Sequence, residues 1–173
     1  MKRYRELFVL GLALAVLAAD QWSKNWVRTS LIPGVPYDPL PFLRPIFSFT
    51  HVTNMGAAFG LFPQLKWLYP LISMAIITLI LVSYRHLPTR FGLVRLSLGL
   101  ELGGALGNLV DRLLRGQVVD FIDLNFWPLR EWPVFNVADS SVVVGVVILA
   151  CFLLLYPEEK VLGHQDSAEK AVE

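Results

Sequence analysis

Four stretches of this chain, residues 7–26, 67–84, 91–112 and 136–156, are long and mostly apolar. A helix needs about 20 mostly apolar residues to cross a bilayer, so the pattern predicts four membrane-spanning helices. The second run carries no charge, the third contains Arg95 and Glu101, and the fourth is rich in Val, Ile and Leu. Pro70 falls in the first turn of the second run, where a missing N–H costs little. Only 17% of the residues are charged, against roughly 25% in soluble domains, and the shortfall lies in these runs. The opening "MKRYRELFVLGLALAVLAAD" has the layout of a cleavable signal peptide. It continues into "QWSKNWV", where Trp22 and Trp26 suit an interfacial belt, so an uncleaved first helix is expected.

Several chemistries are excluded early. The net charge is +1, which gives no electrostatic case for nucleic acid. The single cysteine, Cys151, rules out an internal disulfide framework and a cysteine-based zinc site. The three histidines do not form HExxH, and GxSxG is absent.

Basic residues set the expected orientation. Lys2, Arg3 and Arg5 precede the first run, and Arg85, His86, Arg90 and Arg95 surround the connection between the second and third. By the positive-inside rule both regions face the cytoplasm, so both termini lie inside. The connections 27–66 and 113–135 are then extracytoplasmic. Residues 1–160 are expected to form one membrane domain, and the polar tail 161–173 to be cytoplasmic and disordered.

With that orientation, Asp20, Lys24, Asn108, Asp111, Arg112, Asp120, Asn136 and Asp139 all arrive near the outer boundary. Ionisable groups near lipid are costly and usually face a bundle interior, so their convergence suggests a site. Each also has a plainer reading. Asp20 and Lys24 sit at i, i+4 and can neutralise each other or contact a substrate. Asp111 suits a neighbouring arginine equally well. Gly103, Gly104 and Gly107 read as a helix-packing seam. Asn108 and Arg112 read as supports that hold carboxylates. Asn136 and Asp139 have the spacing of a capping box, and a carboxylate there suits the helix dipole. Capping alone does not explain Asp120 in the strand-like "QVVDFIDLNFW". Asp123, three residues on, should face the opposite side of an extended segment. Glu101 lies deeper and receives no role.

In the first outer connection, residues 46–53 alternate like a strand. "NMGAAFG", residues 54–60, then supplies Asn54, Gly56 and a second glycine, a turn able to approach a ligand's backbone or simply an ordinary hairpin turn.

Four blocks in order, "DQWSK", "NMGAAFG", "GGALGNLVDRLLRGQVVDFID" and "FNVADSSVVVG", resemble the lipoprotein signal peptidases, signal peptidase II. The resemblance spans most of the chain. It implies a four-transmembrane-helix bundle, all-α apart from a small extracytoplasmic β-sheet or cradle, in the bacterial cytoplasmic (inner) membrane. It implies an aspartic endopeptidase that removes signal peptides from prolipoproteins, cutting before a diacylglyceryl-modified cysteine. Its partners would be those lipidated substrates and membrane lipid. By position it assigns catalysis to Asp120 and Asp139, and support to Asp20, Lys24, Asn54, Asn108, Arg112 and Asn136. Gly56 joins the substrate-binding set through the "NMGAAFG" block. No metal and no cofactor is implied. In such a pair one acid keeps a proton, and the helix dipole marks Asp139 as the ionised member. The competing reading, a small transporter or channel using membrane carboxylates, predicts a midplane site between internal repeats. No repeat is visible, and the polar cluster lies at the boundary.

Overall fold

The computed structural model describes residues 2–56, 63–65, 67–84, 86–89 and 91–156. The expectations placed on residues 57–62, on Arg85 and Arg90, and on the 161–173 tail lie outside the described residues. Four helices dominate: α1 (Lys2–Ser30), α2 (Leu68–Ser83), α3 (Gly92–Arg115) and α4 (Val137–Leu155). Between α1 and α2 lie strands β1 (Pro36–Tyr37) and β2 (Phe47–Asn54), and between α3 and α4 lies β3 (Val118–Leu124). The structure is mostly helical with one small antiparallel sheet, ordered β1-β2-β3.

Among the described residues, three helices, α1, α3 and α4, are long and apolar enough to cross a membrane, while α2 has 16 residues. The helix α3 is central. Two-thirds of its apolar window is buried, against 22% for α1 and 17% for α4, so α1 and α4 turn broad apolar faces outward. Val9 and Ala13 of α1, Ile80 of α2, Val94, Leu98 and Leu102 of α3, and Phe152 of α4 form one apolar core.

The small residues of α3 set its close packing. A Cβ on Gly103 would meet Val16 of α1 at 2.6 Å, and one on Gly104 would strike the backbone of Ala138 in α4. The packing seam predicted for these glycines is present. At the end of α3, Gly116 takes φ 70°, the left-handed conformation that stops the helix and feeds β3.

The first helix runs four residues past the predicted Trp26, to Ser30. Its last turns dock on the sheet, where Val27 and Leu31 bury against Val119 and Phe121 of β3. Tertiary packing therefore extends the helix beyond the apolar run. Trp22 is exposed, as an interfacial residue would be. Trp26 packs edge-on against Phe49, with ring centroids 5.7 Å apart, and against Tyr37.

One register shift shapes the sheet. Phe49 pairs with Ile122 and Val52 with Asp120, so β2 carries one extra residue opposite Phe121. Such a bulge re-aims side chains. It brings Asn54 and Asp120 to the same face as diagonal neighbours, with Val119 and Phe121 packed on the other face.

Candidate active site

The polar side chains gather where α1 and α3 end and α2 and α4 begin. They fall into two layers joined by Asn108.

The inner layer is an ion cluster. Lys24 and Asp20 are both fully buried, with Lys24 Nζ 2.9 Å from Asp20 Oδ2. The same ammonium lies 3.0 Å from Asp111 Oδ2, and Arg115 Nη1 approaches Asp111 Oδ1 to 2.6 Å. Asp20 Oδ1 accepts the Ala138 N–H at 3.0 Å, which satisfies a donor at the start of α4. Asp111 Oδ2 accepts from Val119 N at 3.4 Å. Both acids thus tie helices together as well as neutralising a cation. Gly107 belongs here, since a Cβ on it would meet Asp20 Oδ2 at 2.5 Å.

The outer layer holds Asp120 and Asp139, both lining a cavity of about 520 Å³. Asn136 joins them. Its Nδ2 donates to Asp120 Oδ1 at 2.6 Å, and its Oδ1 accepts the Asp139 N–H at 2.9 Å. Asp139 Oδ2 in turn accepts the Asn136 N–H at 3.2 Å, completing a capping box. The capping reading and the site reading of Asp139 are therefore two uses of one geometry. Asp139 Oδ1 takes the Asn108 amide at 2.7 Å. Asn108 cannot turn over without loss, because its Oδ1 accepts from Lys24 Nζ at 2.9 Å. Asn54 is oriented in the same manner: Gly56 N donates to its Oδ1 at 2.9 Å, and its Nδ2 donates to Asp120 Oδ2 at 3.0 Å. All four carboxylate oxygens accept N–H bonds, and every donor is neutral.

Burial pushes the Asp120 carboxyl up to about 6, with a further push from the nearby Asp139. Hydrogen bonds from Asn54 and Asn136 and the field of Lys24 oppose the rise. Asp123 is separate, as its spacing predicted. Its Oδ2 accepts the Thr50 hydroxyl at 2.8 Å, outside the cavity.

Arg112 also lines the cavity, yet it does not hold a carboxylate as expected. Its Nη1 donates to Ser73 Oγ at 3.2 Å, and its guanidinium lies over the Tyr69 ring, 5.7 Å from the centroid. Ser73 escaped the sequence reading. The available signal was a small polar residue in an apolar helix, four positions after a tyrosine. Gln21 escaped as well; its Nε2 donates to Asp20 Oδ2 and to the Gly107 carbonyl, both at 3.1 Å. Glu101 stays apart from the site, buried against Gly145 of α4, with Oε1 unpartnered among the described residues.

The rest of the cavity wall is largely apolar, including Ile76, Ala105 and Val142 from three helices. A substrate strand pairing with residues 46–53 would meet a constraint. The strand β2 is the middle one, with β3 along one side and β1 opposite Phe49 and Thr50 on the other. Among the described residues, no group of three His, Cys, Asp or Glu side chains is placed to hold a metal ion.

Comparison with known proteins gives one consistent result. The sequence profile of the family described as signal peptidase (SPase) II matches residues 12–155. A lipoprotein signal peptidase from Moorella thermoacetica is 49% identical over 148 residues, covering 86% of this chain and 93% of the relative. Another, from Halothermothrix orenii, is 41% identical over 148 residues, covering 86% and 94%. A solved structure described as a bacterial membrane enzyme, determined by the in meso method at 2.3 Å resolution, superposes with TM-score 0.78. It is 29% identical in sequence, and the match covers 88% of this chain and 90% of that one.

Proposed function

The chain belongs to the signal peptidase II family, whose members remove signal peptides from prolipoproteins, and from that premise we propose that it works as an aspartic endopeptidase through Asp120 and Asp139. The observation that carries this reading is that both carboxylates line one cavity and are joined through a single asparagine. Nothing among these relatives favours the transporter or channel alternative.

Two neighbouring carboxylates do not readily both ionise, so one keeps a proton at working pH. Asp120, only 3% exposed and with its carboxyl pushed up to about 6, is the member that keeps it. Asp139, in the first turn of α4, sits where the helix dipole favours negative charge. Ionised Asp139 takes a proton from a water held between the acids. The oxygen of that water attacks the scissile carbonyl carbon while Asp120 donates its proton to the carbonyl oxygen. The tetrahedral intermediate then collapses, the amide nitrogen leaves with a proton from Asp139, and Asp120 recovers its own. The oriented amides of Asn54, Asn108 and Asn136 hold both acids through these changes without adding charge. Asp20 and Lys24 act one step further out, through Ala138 and Asn108.

The apolar wall of the cavity suits a signal peptide entering sideways from lipid, with acyl chains on the cysteine after the cut remaining in the bilayer. We infer four crossings. The 16-residue α2 spans about 24 Å of rise and carries no Asp, Glu, Lys or Arg. Its first turns share the level of the starts of α4 and the ends of α1 and α3. In that arrangement residues 1–160 form one domain of the bacterial inner membrane, both termini are cytoplasmic, and the site with its sheet or cradle is extracytoplasmic. The membrane lipid and lipidated precursors are its partners.

The deciding experiment is cleavage of a diacylglyceryl-modified precursor by purified wild type, Asp120→Asn and Asp139→Asn. General acid–base contributions predict a loss of about a thousandfold for each variant with helical content unchanged. Wild-type turnover by either variant would sink the assignment.

A further inference from the structure

The second helix offers little to the protein interior. Tyr69, Ser73 and Ile80 are its buried residues. Ile80 belongs to the apolar core. Tyr69 and Ser73, four residues apart and so on one face, both meet the same group, the guanidinium of Arg112.

That group's position is unusual. Arg112 lines the cavity with Asp120 and Asp139. Among the described residues it forms no ion pair with either acid. The fields of Asp139, Asp120 and Asp111 reach it, yet each of these acids takes its hydrogen bonds from other groups. Asp111, on the same helix, is held by Lys24 of α1 and by Arg115. Asp120 comes from β3 and Asp139 from α4, and their oxygens accept from asparagine side chains and the Asn136 N–H. From α2 the facing groups are the Tyr69 ring and the Ser73 hydroxyl.

We propose that Tyr69 and Ser73 form a clasp that holds the Arg112 guanidinium away from Asp120 and Asp139, so that the pair can keep its shared proton. They are positioning residues and do not touch the reacting atoms. The proposal rests on the aspartic reading above. Its physical basis is the strength of the interaction being prevented. An arginine in contact with a carboxylate lowers its pKa by about 1–3 units, and a pair ionised twice has no acid left to protonate the scissile carbonyl. Serine supplies an acceptor for one N–H, and tyrosine supplies a ring face that attracts the cation without titrating it. Both sit on a helix otherwise turned largely outward, so the clasp also makes the cavity sensitive to how α2 packs.

The test is the pH dependence of kcat/KM on a lipidated precursor. In Ser73→Ala and Tyr69→Leu the guanidinium gains freedom to approach the acids. The alkaline limb should move down by about one pH unit, with about a tenfold loss at neutral pH that falls mainly on kcat. Activity should recover to near wild type on the acid side of the shifted limb. Ser73→Thr keeps the hydroxyl and should restore the wild-type profile. In an Arg112→Gln background, Ser73→Ala should move the limb no further, a result that general loosening of α2 does not produce. A profile unmoved in both clasp variants, or a loss that is the same at every pH, overturns the proposal. So does a shift that persists without the arginine. Asp120→Asn and Asp139→Asn are run alongside. If they cleave normally, the aspartic reading fails and the clasp with it. If they are inactive while Ser73→Ala and Tyr69→Leu overlay wild type, the clasp alone fails.

Discussion

Two pairs of aspartates lie close together in this bundle, and they are held in opposite ways. Asp20 and Asp111 close on Lys24, with Arg115 added on the outside. Among the described residues, Asp120 and Asp139 receive only neutral donors, from Asn54, Asn108, Asn136 and one backbone N–H. The first pair is closed on cations and works as a tie between helices. The second is positioned as firmly, yet among the described residues no cation contacts it, and burial keeps Asp120's proton within reach of ordinary pH. The side-chain chemistry is the same in both; the donors around it separate scaffold from candidate catalyst.

The strongest way to break this contrast is to neutralise one acid in each pair. Asp139→Asn should lose about a thousandfold in precursor cleavage while its melting temperature stays near wild type. Lys24→Met should act in the reverse sense. It leaves buried Asp20 without its cation and Asp111 with Arg115 alone, at a cost of about 3–5 kcal/mol, read as a fall in melting temperature in detergent. If Lys24→Met melts like wild type, the inner layer is not the tie described here.

A smaller effect sharpens the contrast through pH. Asn54→Ala removes an N–H that favours ionised Asp120. The alkaline limb of kcat/KM, expected near 6 in the free enzyme, should move upward, with about a tenfold loss in kcat from the loosened acid. A downward shift would contradict the assigned role. Stability should follow the same group. The folded value lies above the ordinary 3.8, so the fold binds this proton more tightly than the unfolded chain does. The contribution is complete below 3.8 and fades as pH rises through about 6, where thermal melting at stepped pH should register it. Asp120→Asn should flatten that step.

The smallest effect belongs to Asp123. It accepts from Thr50 outside the cavity, so Asp123→Asn should change cleavage by less than about twofold, as surface changes usually do. A large loss would mean that the two faces of β3 are not separated as the register indicates.

Much of this arrangement was legible from residue order. Apolar run length marks the helices, and the Asn136–Asp139 spacing marks the start of α4, because both are local properties of the backbone. The strand reading at 46–53 came within one residue of β2. What the sequence did not show shares a cause. Arg112 was expected to hold a carboxylate and instead meets Ser73 and Tyr69, 39 or more positions away along the chain. The packing of Trp26 on Phe49 was likewise not legible in the sequence. Periodicity states which way a side chain leaves its own helix, and does not state what another element brings to meet it.

The amino-acid order by itself determined that this chain must bury long helices in an apolar medium and that its few polar residues gather at one end of them. That follows from the cost of placing backbone dipoles and charges in hydrocarbon, which any fold of these residues must meet. Which carboxylates are paired with cations and which with amides was decided only in three dimensions. A bulge in β2, the close approach allowed by Gly104 and Gly107, and the rotation of two asparagine amides set those partners, and each depends on contacts between distant segments.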